Sequence, residues 1–426
     1  MAHDAPPLAV SDAPGASGGP ATGGRPAAIA FIFVAVTIDT IAMGITAPVL
    51  PKLIEHMAGG QQQAGWLNGL FMTVFALMQF LFSPILGALS DRYGRRPILL
   101  LSIAGLGLSY AGMAMATSIW QLLLIRLFTG ATSANIATAF AYVADITPSD
   151  RRAGAYGLMQ AAMSAGFALG PAVGGVFMIL GPTGPFWAAA GFSLINAAYG
   201  FFVVPESLSR ERRAPFKLRL GSFNAVSVLR SKPGLFQLAL ILMLAQFATM
   251  VFPTVFVLYA SHRYSWGMGA IIACLTAFGS CSFLIQAGLS GRLVRALGEH
   301  RVILIGMSCA VLGTAAFGLA PIGALFAIGI PIMTLSGVAG PAVQSLMTRQ
   351  VSASQQGRLQ GANTSLQSLA GIVAPLLFGW AYSAAVAPGQ AVAMSGAPFL
   401  LASAILLIGV ALAIRGDRSP ARLTPF

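Results

Sequence analysis

Acidic side chains are scarce in this chain. Asp and Glu number 11 in 426 residues, and all charged residues together make up 8%, against about a quarter in an ordinary soluble domain. With 57% hydrophobic residues and a mean hydropathy of +0.81, that deficit excludes a large soluble fold. Cysteine is also rare. Cys274, Cys281 and Cys309 each fall inside an apolar run and lack metal-ligand spacing, which excludes a disulfide framework and reads as packed, reduced thiols. The four histidines, His3, His56, His262 and His300, lie in tails or loops without HExxH pairing, and no GxxxxGK[ST] phosphate loop occurs. An enzyme would need a metal or a nucleophile–base cluster that this chain does not offer, and ATP is not its energy source. No cofactor and no metal site are implied.

What the chain has in quantity is apolar sequence. Windows of about 19 residues give twelve membrane-spanning segments, centred near residues 38, 76, 107, 131, 165, 194, 246, 279, 311, 334, 371 and 405. The predicted fold class is therefore an all-α integral membrane protein. Residues 1–26, rich in Ala, Pro, Gly and Ser, read as a disordered cytoplasmic tail with no cleavable signal. Residues 27–205 form the first six-helix bundle, 206–232 a polar linker, 233–415 the second bundle and 416–426 a short tail. The linker is too short for an appended sensor domain.

Lys and Arg outnumber acids, giving a net charge of +13, which in a soluble protein would suggest nucleic acid. Their placement gives a better account. With the amino terminus cytoplasmic, twenty-one of the 24 fall in inside segments, Lys52 and Arg263 fall outside, and Arg126 lies within a span. This positive-inside bias predicts two cytoplasmic termini in a bacterial-type inner (plasma) membrane. The expected partners are lipid, protons and a small-molecule substrate, not nucleic acid.

The two halves repeat. GALSDRYGRRPILL (87–100) between spans 2 and 3 matches GRLVRALGEHRVIL (291–304) between spans 8 and 9, placing Gly87 and Gly94 against Gly291 and Gly298. Pro171 and Gly175 of span 5 match Pro375 and Gly379 of span 11. Both matches share an offset of 204, which argues for a duplicated six-helix unit of the kind that rocks about a midplane site.

Three motifs carry mechanism. The first is the 2–3 loop, Gly87-Ala-Leu-Ser-Asp91-Arg92-Tyr-Gly94-Arg95-Arg96, where a helical turn brings Asp91 to Arg95. Its plain alternative is a solvated loop obeying the charge rule. The second is LLLIRLFTGA in span 4, around Arg126. The third is GFALGPAVGG in span 5, with Gly166, Gly170, Pro171, Gly174 and Gly175, where small residues permit close helix packing and Pro171 allows a kink.

The first of these resembles the signature loop of the major facilitator superfamily, with every characteristic position filled. The second resembles the intramembrane arginine motif of proton-coupled members, and the third the motif of antiporters. With Pro205-Glu206-Ser207, they make the chain similar to the twelve-helix drug/proton antiporters. The segments Ile38-Asp39-Thr40, Ala47-Pro48-Val49-Leu50-Pro51, 76–100, AYVADIT (141–147) and RQVSASQQGRLQG (349–361) resemble the tetracycline/proton antiporter branch. The resemblance spans most of residues 30–415 and implies a monomer. It also shows departures: Ser109, Ser282 and Ala310 stand where that branch has an acid, a histidine and an aspartate tied to tetracycline–metal transport and proton coupling. Tetracycline itself is left open, and proton coupling falls chiefly to Asp39.

Asp39 lies in the apolar run AAIAFIFVAVTIDTIAMGITAPVL (27–50). A charge at bilayer depth costs roughly 2.5–3.5 kcal/mol on insertion scales and usually marks an ion or substrate path. Asp39 should sit about 16 Å deep from one face and Arg126 about 10 Å from the other, which puts them within side-chain reach in a core of about 30 Å. The expectation is that Asp39 carries the proton and Arg126 tunes it, the plain alternative being a static ion pair. By the resemblance, Asp91 would also meet the amino end of span 11 as an inner-gate latch, with Arg95 and Asp145 completing the cluster. Asn68, Gln79, Gln160, Gln246, Gln286, Asn363 and Gln367 are candidate substrate contacts, each equally suited to interhelical hydrogen bonds. The leading function is proton-driven export of a drug-like or amphipathic molecule. The alternative is a proton-coupled importer or facilitator of a small metabolite.

Overall fold

Leucine, alanine, valine and phenylalanine fill long uninterrupted runs, and in hydrocarbon such runs are helical because only a helix pairs its own backbone. The computed structural model describes residues 25–148, 151–213, 215–216, 229, 233–352 and 355–417. Most of the predicted tails and of the 206–232 linker lies outside these residues, while Arg25 and Pro26 begin the first helix and Gly416 and Asp417 end the last.

Among the described residues, eleven helices are long and apolar enough to cross a membrane and a twelfth apolar helix is shorter, one lying at each expected centre. Spans 1 to 6 are Ala30–Ala58, Gln61–Tyr93, Arg95–Met115, Ile119–Ile146, Gly154–Leu180 and Gly184–Val203. Spans 7 and 9 to 12 are Gly234–Tyr264, Glu299–Leu319, Gly323–Arg349, Arg358–Ala385 and Val392–Arg415. Span 8, Met268–Leu284, is shorter, and a π-helical turn, Ile285–Leu289, carries it into Ser290–Leu297.

Every third span is interrupted. Span 1 turns between Thr46 and Val49, span 4 between Thr132 and Asn135, span 7 at Met250, and span 10 through the 3-10 turn Ser336–Val338. Interruptions at corresponding places are what a duplicated unit predicts, and broken helices line the sites of many transporters. The offset of 204 also holds in three dimensions. Gly94 and Gly298 both take positive φ, 113° and 80°, ending spans 2 and 8 at matching turns. Arg95 Nε bonds Asp145 Oδ2 at 3.0 Å, and the positions 204 further on, Glu299 and Arg349, pair at 2.7 Å with the signs exchanged.

One end of the bundle carries the basic loops and the other is poor in charge. Lys52, expected in a loop at the charge-poor end, is helical within Val49–Ala58 and pairs with Glu55 at 2.7 Å. Trp266 packs on Tyr264 and Phe326 in an aromatic cluster. Trp66, Trp120 and Trp187 are exposed on the protein surface.

The halves meet at the charge-poor end. Asn68 Nδ2 donates to Thr254 O at 2.6 Å, Thr73 Oγ1 to Ile372 O at 2.7 Å, and Tyr382 OH to Gln61 Oε1 at 2.8 Å. Lys52 Nζ and Gln61 Nε2 both donate to Ser261 Oγ, at 2.5 and 3.2 Å.

Candidate functional site

Asp39 is buried in span 1. Its Oδ2 accepts from Asn135 Nδ2 of span 4 at 2.8 Å, and its Oδ1 accepts from Asn196 Nδ2 of span 6 at 3.1 Å. Asn196 Nδ2 also donates to the Ala35 carbonyl at 3.0 Å. Sequence reasoning missed both asparagines. They carry no charge, and a buried Asn in an apolar helix draws notice only as a polar exception. The signal that could have found them is the need of a buried carboxylate for donors.

Arg126 does not contact Asp39. Its guanidinium lies over the Phe75 ring at 4.7 Å, and Nη2 donates to Met72 Sδ at 3.6 Å, both on span 2. Its buried Nε has no partner. The expected direct pair is therefore replaced by two separate arrangements, with Tyr110 of span 3 in electrostatic range of both. The physical reason lies in the break of span 4. Arg126 sits on the piece Ile119–Thr132, which packs chiefly on span 2, while Asn135 opens the piece Asn135–Ile146, which packs on spans 3 and 1.

The antiporter-type motif packs directly beside Asp39. A Cβ on Gly166 would collide with Thr40 Oγ1, and one on Gly170 would stand 2.5 Å from Gly44 Cα, so only glycine lets spans 1 and 5 approach this closely. Gly174 continues the contact against Ile45, and Gly175 turns to Ile272 of span 8. Span 5 stays α-helical through Pro171, from Arg152 to Phe177.

At the basic end the signature loop forms a charged knot. Arg95 pairs with Asp91 Oδ1 at 2.5 Å and with Asp145 at 3.0 Å, while exposed Arg92 stacks on Tyr93 at 5.3 Å. Glu206, far along the chain, caps span 3. Its Oε1 accepts from the Arg95 amide at 2.8 Å and its Oε2 from the Arg96 amide at 3.3 Å. This explains the Gly94 turn, since a Cβ there would collide with the Glu206 carboxylate. Ser207 Oγ donates to Asp145 at 3.3 Å, and Tyr142 OH to Pro205 O at 2.7 Å. The side chain of Asp91 is half exposed.

The candidate substrate contacts divide. Asn68 is fully buried and seals the charge-poor end through Thr254. Asn363 is buried and donates to Gln344 Oε1 at 3.3 Å, tying span 11 to span 10. Gln79 is exposed but spends its amide on the Ser133 carbonyl at 3.4 Å, at the break in span 4. Gln160 and Gln286 are exposed, whereas Gln246 and Gln367 are half-buried. Ser109 Oγ turns back to the Gly105 carbonyl at 2.8 Å, and Ala310 is buried among apolar neighbours.

Two repeated helical bundles, interrupted spans at corresponding positions and a buried carboxylate held by polar side chains define a membrane transporter of the two-bundle type. The chain belongs to the Major Facilitator Superfamily, whose profile matches residues 32–375. It is 35% identical over 403 residues to the class C tetracycline resistance protein of Escherichia coli, covering 93% of this chain and 99% of that protein. It is 29% identical over 387 residues to multidrug resistance protein 2 of Bacillus subtilis (strain 168), covering 89% and 92%. Among solved structures, the nucleoside transporter NupG superposes with a TM-score of 0.73 at 12% identity, covering 92% of this chain and 99% of that one. That last likeness concerns the fold.

Proposed function

We propose that this protein exports a drug-like, amphipathic small molecule in exchange for protons, with Asp39 as the proton carrier. The observation that carries the reading is the Asp39 carboxylate, buried beside the antiporter-type glycines and held by two carboxamides without a contacting cation. Relatives named for tetracycline and multidrug resistance support the substrate class. Arg126 acts on Asp39 at a distance and offers the substrate a cation over the Phe75 face. The basic end faces the cytoplasm of a bacterial-type inner membrane, both termini lie on that side, and the monomer is the working unit. The bundle boundaries are 27–205 and 233–415, joined by the 206–232 linker. The arrangement described above is then open to the cytoplasm and ready to load cytosolic substrate. Tetracycline is one candidate among several, since Ser109, Ser282 and Ala310 supply neither acid nor imidazole.

The test is substrate-driven proton release in proteoliposomes containing a pH-sensitive dye, with a drug panel that includes tetracycline. Release that disappears in Asp39→Asn supports the reading. Transport of a panel drug without proton movement would overturn it, and proton-driven uptake of a metabolite would favour the importer alternative.

A further inference from the structure

A carboxamide differs from a cationic partner in that it both donates, through Nδ2, and accepts, through Oδ1. The two that hold Asp39 are not equivalent. Asn196 is pinned, its Nδ2 shared between Asp39 and the Ala35 carbonyl and its Oδ1 buried without a partner. Among the described residues the Asn135 side chain makes one bond, 2.8 Å to Asp39 Oδ2. It is the first residue of its helix, directly after the non-helical pair Ser133 and Ala134. That break contains neither proline nor glycine. The loose Ser133 carbonyl is satisfied by Gln79 of span 2. Asn135 thus stands at a joint, with Arg126 on the far piece of the same span.

We propose that Asn135 is the positioning residue of the proton step, donating to Asp39 while it is ionised and accepting from it once it is protonated. The step moves a proton from a hydronium ion to Asp39 Oδ2: one O–H bond of the hydronium breaks as the carboxyl O–H bond forms, leaving water, and the reverse transfer returns the proton to water. Rotation of the Asn135 carboxamide exchanges Nδ2 for Oδ1, so the new O–H meets an acceptor. The joint at Ser133–Ala134 lets Asn135 follow span 1 without displacing Arg126. The inference rests on the proton-coupled reading above. Tyr110 from span 3 is the titratable group in electrostatic range of Asp39, and Arg126 from span 4 is in electrostatic range of Tyr110. Spans 5 and 6 contain no Asp, Glu, Lys, Arg or His between Gly154 and Val203. Their tyrosines, Tyr156 and Tyr199, pack on Phe140 and Phe31.

The experiment is an infrared pH titration of the full-length protein reconstituted in lipid, in which the Asp39 carboxyl band is assigned by its loss in Asp39→Asn. Asn135→Val removes both donor and acceptor, and Asn135→Thr restores both on a side chain of nearly the same shape as valine. The expected result is that Val moves the band toward that of an acid whose O–H has no acceptor, with Oδ1 still held by Asn196, and moves the titration midpoint by about one pH unit toward alkaline pH, because a donor lost to the ionised form outweighs an acceptor lost to the neutral acid. Thr returns both toward wild type, while equal melting temperatures for Val and Thr exclude a folding effect. A band and midpoint unchanged in Val, or moved equally in Val and Thr, would overturn the role of Asn135. A wild-type protein with no Asp39 band at any pH would remove the carrier reading and this inference with it.

Discussion

At the scale of single residues, the sharpest demands come from buried charge. Glu206 meets two backbone amides at the start of span 3, where the helix leaves unpaired N–H groups and a positive dipole end. Substituting Glu206→Ala should therefore cost about 1–2 kcal/mol, seen as a lower melting temperature in detergent. Glu206→Gln, which keeps an acceptor, should lose less. Equal losses for the two would mean that the carboxylate charge does not act on the helix. The partnership was hidden in the sequence because 111 residues separate Glu206 from Arg95. Pro205-Glu206-Ser207 was visible only as a pattern, whereas Asp91 and Arg95, one turn apart, could be paired directly. The asparagines at 135 and 196 were hidden for another reason: a neutral amide carries no charge to mark it out in an apolar run.

Among elements, the glycines of span 5 set the distance to span 1. Gly170→Leu should abolish transport while leaving a folded, monodisperse protein, because the side chain must displace the Gly44 backbone. Retained transport in that variant would mean that the close approach is dispensable. The exchanged ion pairs give a second test. Glu299→Arg with Arg349→Glu should recover the melting temperature that either single change lowers, by the logic of a double-mutant cycle. Additive losses would show that the pair is not coupled. Eleven spans were legible from hydropathy because length and apolarity alone decide them, and the shorter eighth was legible from its apolar run. The breaks were not equally legible. Pro48 announces the one in span 1, whereas Ser133 and Ala134 carry no helix-breaking residue, and tertiary contacts with Gln79 and Asp39 hold that break open. The repeat was read from glycines and prolines. Its clearest spatial sign, Arg95–Asp145 against Glu299–Arg349, escaped notice because the charges change places.

For the molecule as a whole, the halves are closed at the charge-poor end by hydrogen bonds that have to break for the transport cycle to proceed. The Gln61 and Ser261 side chains meet at 3.2 Å, so a cysteine pair, Gln61→Cys with Ser261→Cys, should be bridged by a short bis-methanethiosulfonate reagent in a background lacking Cys274, Cys281 and Cys309. The cross-link should stop substrate exchange, and a reductant should restore it. Exchange at the full rate through the cross-linked protein would mean that this end does not open. Asp39 stays on its carboxamides in the present arrangement, and proton exchange requires that it meet water in the other one.

The measurement that tests this most directly is proton release from proteoliposomes driven by a panel drug, comparing wild type with Asp39→Asn. Stoichiometric release is expected in wild type and none in the variant, which still binds drug and exchanges it across the membrane without proton movement. Undiminished drug-driven proton release from Asp39→Asn would contradict the carrier role.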